Sequence, residues 1–205
     1  MITILFGIAI LILSVVVHEV SHGGVAHALG DPTAKNLGRL TLNPLKHLDL
    51  WGSFIIPLLT LLLAGFIFGW AKPVPYNPYN LRNQRWGPAL VAVAGPLSNV
   101  ILALIFVAIV RIVPATSTFP SLALGLDLII YVNLLLAVFN LVPVPPLDGS
   151  KILAALLPYR FERALLALEQ YGFILVIIFI VFVFPLVFPL IPLLFRLLVG
   201  HGFVF

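Results

Sequence analysis

Cysteine is absent from the 205 residues, which excludes disulfides, thiolate metal ligands and a cysteine nucleophile together. Charge is scarce as well: Asp, Glu, Lys and Arg make up 9% of the chain, against about 25% in a soluble domain. Although the formal net charge is +4, no stripe of Lys and Arg is interleaved with aromatics, so nucleic acid is not an expected partner. Long polar stretches are missing too. No connection between apolar runs exceeds about twenty residues, which is well short of a soluble domain. What fills the chain instead is apolar, with 62% hydrophobic residues and a mean hydropathy of +1.20. That composition belongs to a membrane protein.

Apolar stretches run at about 2–28, 52–70, 87–113, 121–142 and 166–199. A bilayer core takes roughly 20 helical residues to cross, so 2–28, 87–113 and 121–142 qualify. Residues 1–17 resemble a signal peptide, and Ala26-His27-Ala28 resembles its cleavage site. No Lys or Arg precedes the run, however, and His18, Glu19 and His22 interrupt it, so we read the segment as retained. Pro185, Pro189 and Pro192 break the last stretch into a helix to about 184 and a shorter second one. Pro57, Gly65 and Gly69 weaken 52–70 as a straight crossing helix. The fold class expected is an all-α polytopic membrane protein, one domain over 1–205, with about five to six membrane segments. Its core helices are placed at about 2–28, 87–113 and 121–148.

The chemistry is carried by His18-Glu19-Val20-Ser21-His22. Histidines four apart on a helix differ by about 40° in direction, so both imidazoles can reach one Zn²⁺ from one face. Glu19, beside the first, is then placed to take a proton from water that the zinc activates. Isolated polar residues in apolar helices can instead do no more than hydrogen-bond neighbouring helices. Three ionisable groups within five residues at membrane depth are costly, which favours a functional site. His27 lies five residues beyond His22 and points about 140° away, so we expect a core or interfacial histidine there.

Catalytic zinc takes three protein ligands and keeps one position open. The candidate third ligand lies in Asn140-Leu141-Val142-Pro143-Val144-Pro145-Pro146-Leu147-Asp148-Gly149. Its three prolines cannot continue a helix, so the backbone unwinds where an apolar segment ends. Asp148 is then offered on an irregular turn, with Gly149 permitting tight geometry. Alone, such a stretch reads as a plain turn; beside the histidine pair it reads as a ligand.

Together, His18-Glu19-Val20-Ser21-His22 and the distant Leu147-Asp148-Gly149 resemble the site-2 protease family of intramembrane zinc metalloproteases. Ala94-Gly95-Pro96-Leu97-Ser98-Asn99 is similar to the Gly-Pro-x-x-Asn stretch of that family's middle core helix. The run Phe68-Gly69-Trp70-Ala71-Lys72-Pro73-Val74-Pro75-Tyr76-Asn77 resembles a short subgroup without a PDZ or CBS domain. The resemblance covers about residues 10–155. It implies His18, His22 and Asp148 as ligands of one Zn²⁺ per chain and Glu19 as the base. Asn99 would hold the substrate backbone or the developing oxyanion, or else make a helix-packing polar contact. The expected activity is hydrolysis of transmembrane or juxtamembrane protein substrates within or near the bilayer. Rival readings are a catalytically silent membrane scaffold and an ion or proton transporter using the same buried polar residues. Gly23 and Gly24, just beyond the ligands, would let a backbone approach closely.

One zinc must be reached from both His18 and Asp148, so the helices before them run in the same direction, with 87–113 opposed. Connections 30–50, 71–86 and 143–165 then share a face. That gathers Lys35, Arg39, Lys46, Lys72, Arg82, Arg85, Lys151, Arg160 and Arg163, nine of the 11 basic residues. The positive-inside rule makes this face cytoplasmic. We therefore expect 52–70 to re-enter rather than cross, as part of a hairpin near 30–80 that could offer an edge strand to substrate. The absence of an appended soluble domain suggests a prokaryotic cell membrane.

Overall fold

Proline and glycine decide where the apolar runs become helices. The computed structural model describes residues 2–64, 69–112, 120–158, 165 and 167–203. Helix α1 spans Ile2–Ala28, with no proline in 27 residues. At 1.5 Å per residue it reaches about 40 Å, enough for a hydrocarbon core of about 30 Å. A single turn, α2, follows at Thr33–Asn36. After a π-helical turn at Trp51–Ile55, α3 covers only Ile56–Ala64. Two further long helices follow: α4 is Gly87–Ile112, and α5 is Pro120–Asn140. Beyond them come α6 (Asp148–Leu156), α7 (Gly172–Ile178), α8 (Phe184–Val187) and α9 (Leu190–Val199).

Helices α1, α4 and α5 pack against one another as the centre of the molecule. Small residues face inward there, with Ala92, Ala103 and Ala26 buried, while Leu13, Leu97, Ile101 and Leu122 point outward. This is the pattern of helices packed in lipid, where small side chains let backbones approach. A second apolar cluster joins Ala103 and Val107 to Ile130, Tyr131 and Leu134, and to Ile191, Phe195 and Val199 of α9.

The count of membrane segments is lower than the five to six expected. Among the described residues, three single helices are long and apolar enough to cross, and a fourth crossing requires the bent pair 172–187 and 190–199, which turns by 45°. Hydropathy over-counts because it cannot see breaks. Among the described residues, the apolar run at 52–70 holds the π-helical turn at Trp51–Ile55 continuing into the nine residues of α3, about 21 Å together and short of the hydrocarbon thickness of about 30 Å. Its two ends meet: Trp70 N–H donates to Gly52 O at 2.9 Å, and Lys72 N–H to His47 O at 2.8 Å. A segment that leaves and returns at the same place is re-entrant. Arg39 donates to Lys72 O at 2.9 Å, which ties the connection before α3 to the one after it.

No strand occurs among the described residues, so the edge strand considered for 30–80 is not formed. Pro73 and Pro75 account for this, since neither can donate to a ladder. Residues 70–77 run irregularly across the end of the bundle instead. The expected third core helix, 121–148, is also interrupted. It stops at Asn140, and Asp148 opens a new helix rather than sitting on a turn. Arg160 and Arg163 lie outside the described residues.

Candidate metal centre

Histidines 18 and 22 sit one turn apart on the buried face of α1. Each ring is held by its Nδ1. The His22 Nδ1 lies 2.6 Å from Val91 O, a main-chain carbonyl that can only accept, so Nδ1 carries a hydrogen and, in the neutral ring, Nε2 carries the lone pair. The His18 Nδ1 lies 2.7 Å from Asn99 Oδ1, which leaves its Nε2 likewise free.

Asp148 arrives from the far end of the chain. Between Asn140 and Asp148 the backbone folds on itself through Val144 N–H to Val142 O at 2.8 Å and Leu147 N–H to Val144 O at 2.9 Å. Gly149 lies against the carbonyls of Leu141 and Val142, where a Cβ would collide with both. A glycine is therefore required for α6 to start here.

The three groups converge. Asp148 Oδ2 is 3.2 Å from each Nε2, and the two Nε2 atoms are 3.1 Å apart. Asp148 Oδ2 has no hydrogen-bond donor although it is buried. With both imidazoles neutral these are three acceptors facing one another, which repel unless a cation sits among them. Ligands about 2.0–2.1 Å from a tetrahedral Zn²⁺ lie about 3.3 Å apart, so these separations fit that ion. Among the described residues, this is the group of three His, Cys, Asp or Glu side chains that could hold a metal.

The sequence matches the peptidase family M50 over residues 6–124 and 111–184. This chain belongs to peptidase family M50. YwhC of Bacillus subtilis, which bears the name of a zinc metalloprotease, is 42% identical over 182 residues, covering 86% of this chain and 79% of its own. Rip2 of Mycolicibacterium smegmatis, similarly named, is 31% identical over 172 residues, or 83% of this chain and 64% of its own length. MJ0611 of Methanocaldococcus jannaschii is 36% identical over 90 residues, 43% of this chain and 44% of its own. No solved structure matches the chain.

A cavity of about 170 Å³ borders the centre of this M50 chain, lined in part by His18, Glu19, His22, Val74, Asn140 and Asp148. It is open rather than sealed and has room for several waters. Glu19 is half-buried in its wall, and one carboxylate oxygen accepts from Val74 N–H at 2.8 Å. Val74 is itself buried, packed with Leu40 over Gly23. Gly24 faces open space, and Gly23 is covered by side chains rather than by the closely approaching backbone expected there. His27 stands apart from the centre, half-buried, with no hydrogen-bond partner on Nδ1.

The loop carrying Val74 is anchored by Asp31, fully buried just past α1. Asp31 accepts from Thr33 Oγ1 at 2.6 Å, from Asn77 N–H at 2.7 Å and from Asn80 Nδ2 at 2.8 Å. Burial pushes its carboxyl up, yet these hydrogen bonds outweigh it and hold the pKa below the usual carboxylate range.

Sequence reasoning missed several residues at this site. Gly95 of α4 lies directly against both imidazoles; a Cβ there would stand 2.5 Å from His22 Cε1 and Nε2 and 2.6 Å from His18 Cε1. The motif containing it was visible, but nothing in the sequence tied that position to the histidines. Val74 contributes a main-chain N–H, which no side-chain pattern reveals. Asn99 is fully buried with both amide atoms engaged, Oδ1 by His18 and Nδ2 by Asn133. Asn99 itself was expected, as a substrate contact or as a helix-packing polar contact, and its contacts here are of the second kind.

Proposed function

We propose that this M50 protein is a zinc-dependent endopeptidase acting on membrane-protein segments within or near the bilayer. His18, His22 and Asp148 hold the metal, and Glu19 is the general base and acid. The single observation that carries the reading is the meeting of three buried acceptor atoms 3.1–3.2 Å apart. When bound, zinc supplies a Lewis acid that polarises the scissile carbonyl and makes water a nucleophile near neutral pH. Glu19 takes the proton from the attacking water and passes it to the departing amine. Val91 and Asn99 hold the two imidazoles so that their Nε2 lone pairs stay directed at the metal.

Pro73, Val74 and Tyr76 line the cavity beside this centre, so displacement of their segment would open it further to a peptide. That motion also releases Glu19 from Val74 N–H. The site lies at the bundle end where Lys35, Arg39, Lys46, Lys72, Arg82, Arg85 and Lys151 gather, which the positive-inside rule places in the cytoplasm. The deciding experiment compares wild type with Glu19→Gln and His18→Ala in detergent. Glu19→Gln is expected to keep one zinc per chain and lose about 10²–10⁴-fold in peptide hydrolysis, while His18→Ala loses both. A wild type that binds no zinc would return the chain to a scaffold or transporter reading.

A further inference from the structure

Behind His18 lies a chain of buried polar side chains that the proposed reaction does not itself use. Ser14 of α1, Asn99 of α4 and Asn133 of α5 are all buried, at a depth where uncompensated polar groups are costly. None leaves a buried side-chain atom without a partner.

Two main-chain carbonyls fix the direction of every bond in this chain. Asn133 Nδ2 donates to Ile129 O at 2.9 Å and to Ser14 Oγ at 3.0 Å. Its amide therefore turns Oδ1 towards Asn99, whose Nδ2 donates to it at 2.8 Å and to Ser14 O at 3.4 Å. Asn99 in turn must present Oδ1 to His18 Nδ1 at 2.7 Å. Because a carbonyl only accepts, reversing either amide would set donor against donor or acceptor against acceptor. The remaining state of a neutral His18 has hydrogen on Nδ1 and a lone pair on Nε2.

We propose that Ser14, Asn99 and Asn133 are positioning residues that lock the tautomer and ring orientation of His18 from three helices at once. Ile129 O and Ser14 O set the sense of the chain, and Asn133 acts on the metal centre only through Asn99. The inference rests on the zinc reading above and extends it to residues that touch neither metal nor substrate.

The test measures zinc affinity by competition with a chelator for the full chain in detergent. The variants are Asn99→Leu, Asn99→Asp, Asn133→Leu, Asn133→Asp and the double Asn99→Leu/Asn133→Leu. Loss of such an outer partner typically weakens metal binding about 10–100-fold, and that is expected for Asn99→Leu. Asn99→Asp, as the neutral acid, keeps an acceptor for Nδ1 and an O–H donor towards Asn133 Oδ1, and is expected to retain binding. Asn133→Leu should weaken binding by less, Asn133→Asp, whose neutral acid keeps a donor for Ile129 O and an acceptor for Asn99 Nδ2, should retain most of it, and the double variant should be no weaker than Asn99→Leu alone. ¹⁵N spectra of histidine-labelled apo protein give a second readout: His18 as the Nδ1–H tautomer in wild type and Asn133→Asp, and a mixture in Asn99→Leu.

Wild-type zinc affinity in a folded Asn99→Leu, even with slowed turnover, would overturn the proposal and return Asn99 to substrate. Additive losses in the double variant would overturn the route through Asn133. Should Asn133→Leu fail to fold, Asn133→Asp and the tautomer spectra still decide. A wild type without zinc would sink the metal reading alone, since the apo tautomer is measured independently of it.

Discussion

Replacing Gly95 by alanine adds one methyl group to α4 and should dismantle the metal centre. The new carbon would stand 2.5–2.6 Å from atoms of both His18 and His22, where carbon contacts settle at about 3.5 Å or more. One or both rings must therefore retreat by about 1 Å. Metal–ligand distances tolerate about 0.2 Å, so the rings cannot retreat that far and still bind. If α4 retreats instead, the bonds from Val91 O and Asn99 Oδ1 to the two Nδ1 atoms stretch with it. We expect zinc affinity to fall more than about 100-fold, beyond the usual cost of an outer-partner change. Gly24→Ala is the matched control, because a Cβ at Gly24 meets nothing within 4 Å. Both substitutions raise helix propensity by up to about 1 kcal/mol, so a difference between them isolates the collision. Chelator competition gives the affinity, and thermal unfolding in detergent confirms the fold. A folded Gly95→Ala protein that binds zinc as wild type does would refute this reasoning.

Other outcomes follow from the same geometry. Asp31→Asn should lower stability by about 2 kcal/mol at pH 7 through weakened charge-assisted hydrogen bonds. The folded pKa of Asp31 is depressed, so its contribution is full above the unfolded value of about 3.9 and is lost as pH falls through the lower folded value. The stability difference between wild type and variant should thus begin to shrink below about pH 4 and go on shrinking at lower pH; curves that stay parallel would contradict the assignment. Phe195→Ala, in the apolar cluster around Ala103 and Ile130, should cost about 3–5 kcal/mol and leave zinc affinity unchanged. Since the chain has no cysteine, single cysteines at Lys46, Lys72 and Arg111 report topology cleanly in oriented vesicles. An impermeant maleimide should reach the first two from one side and the third from the other; labelling of Lys46 and Lys72 positions from opposite sides would mean that 52–70 crosses.

Much of the site was legible because its chemistry depends on spacing along one helix. Histidines four apart with an adjacent glutamate have few other uses in an apolar helix. Asp148 was legible because prolines mark a broken backbone just before it. The membrane-segment count was less legible, since hydropathy sums apolar residues and α3 needed its length measured against its breaks. Asn99, Asn133 and Gly95 act through the packing of three helices separated by long stretches of chain. Sequence fixes neither their register nor which rotation faces them together. The Val74 contact with Glu19 uses a main-chain N–H, which any residue other than proline would supply.

The origin of the three ligands has a consequence for assembly. His22 and Asp148 are separated by 126 positions, so an ion that joins them closes most of the chain into a ring. For a covalent cross-link over such a loop, chain entropy gives about 5 kcal/mol. That figure is a ceiling here, because helices confined to a bilayer have less freedom to lose. When bound, the cation would thus be a fastener as well as a reagent, joining α6, which packs on α4, to the histidines of α1.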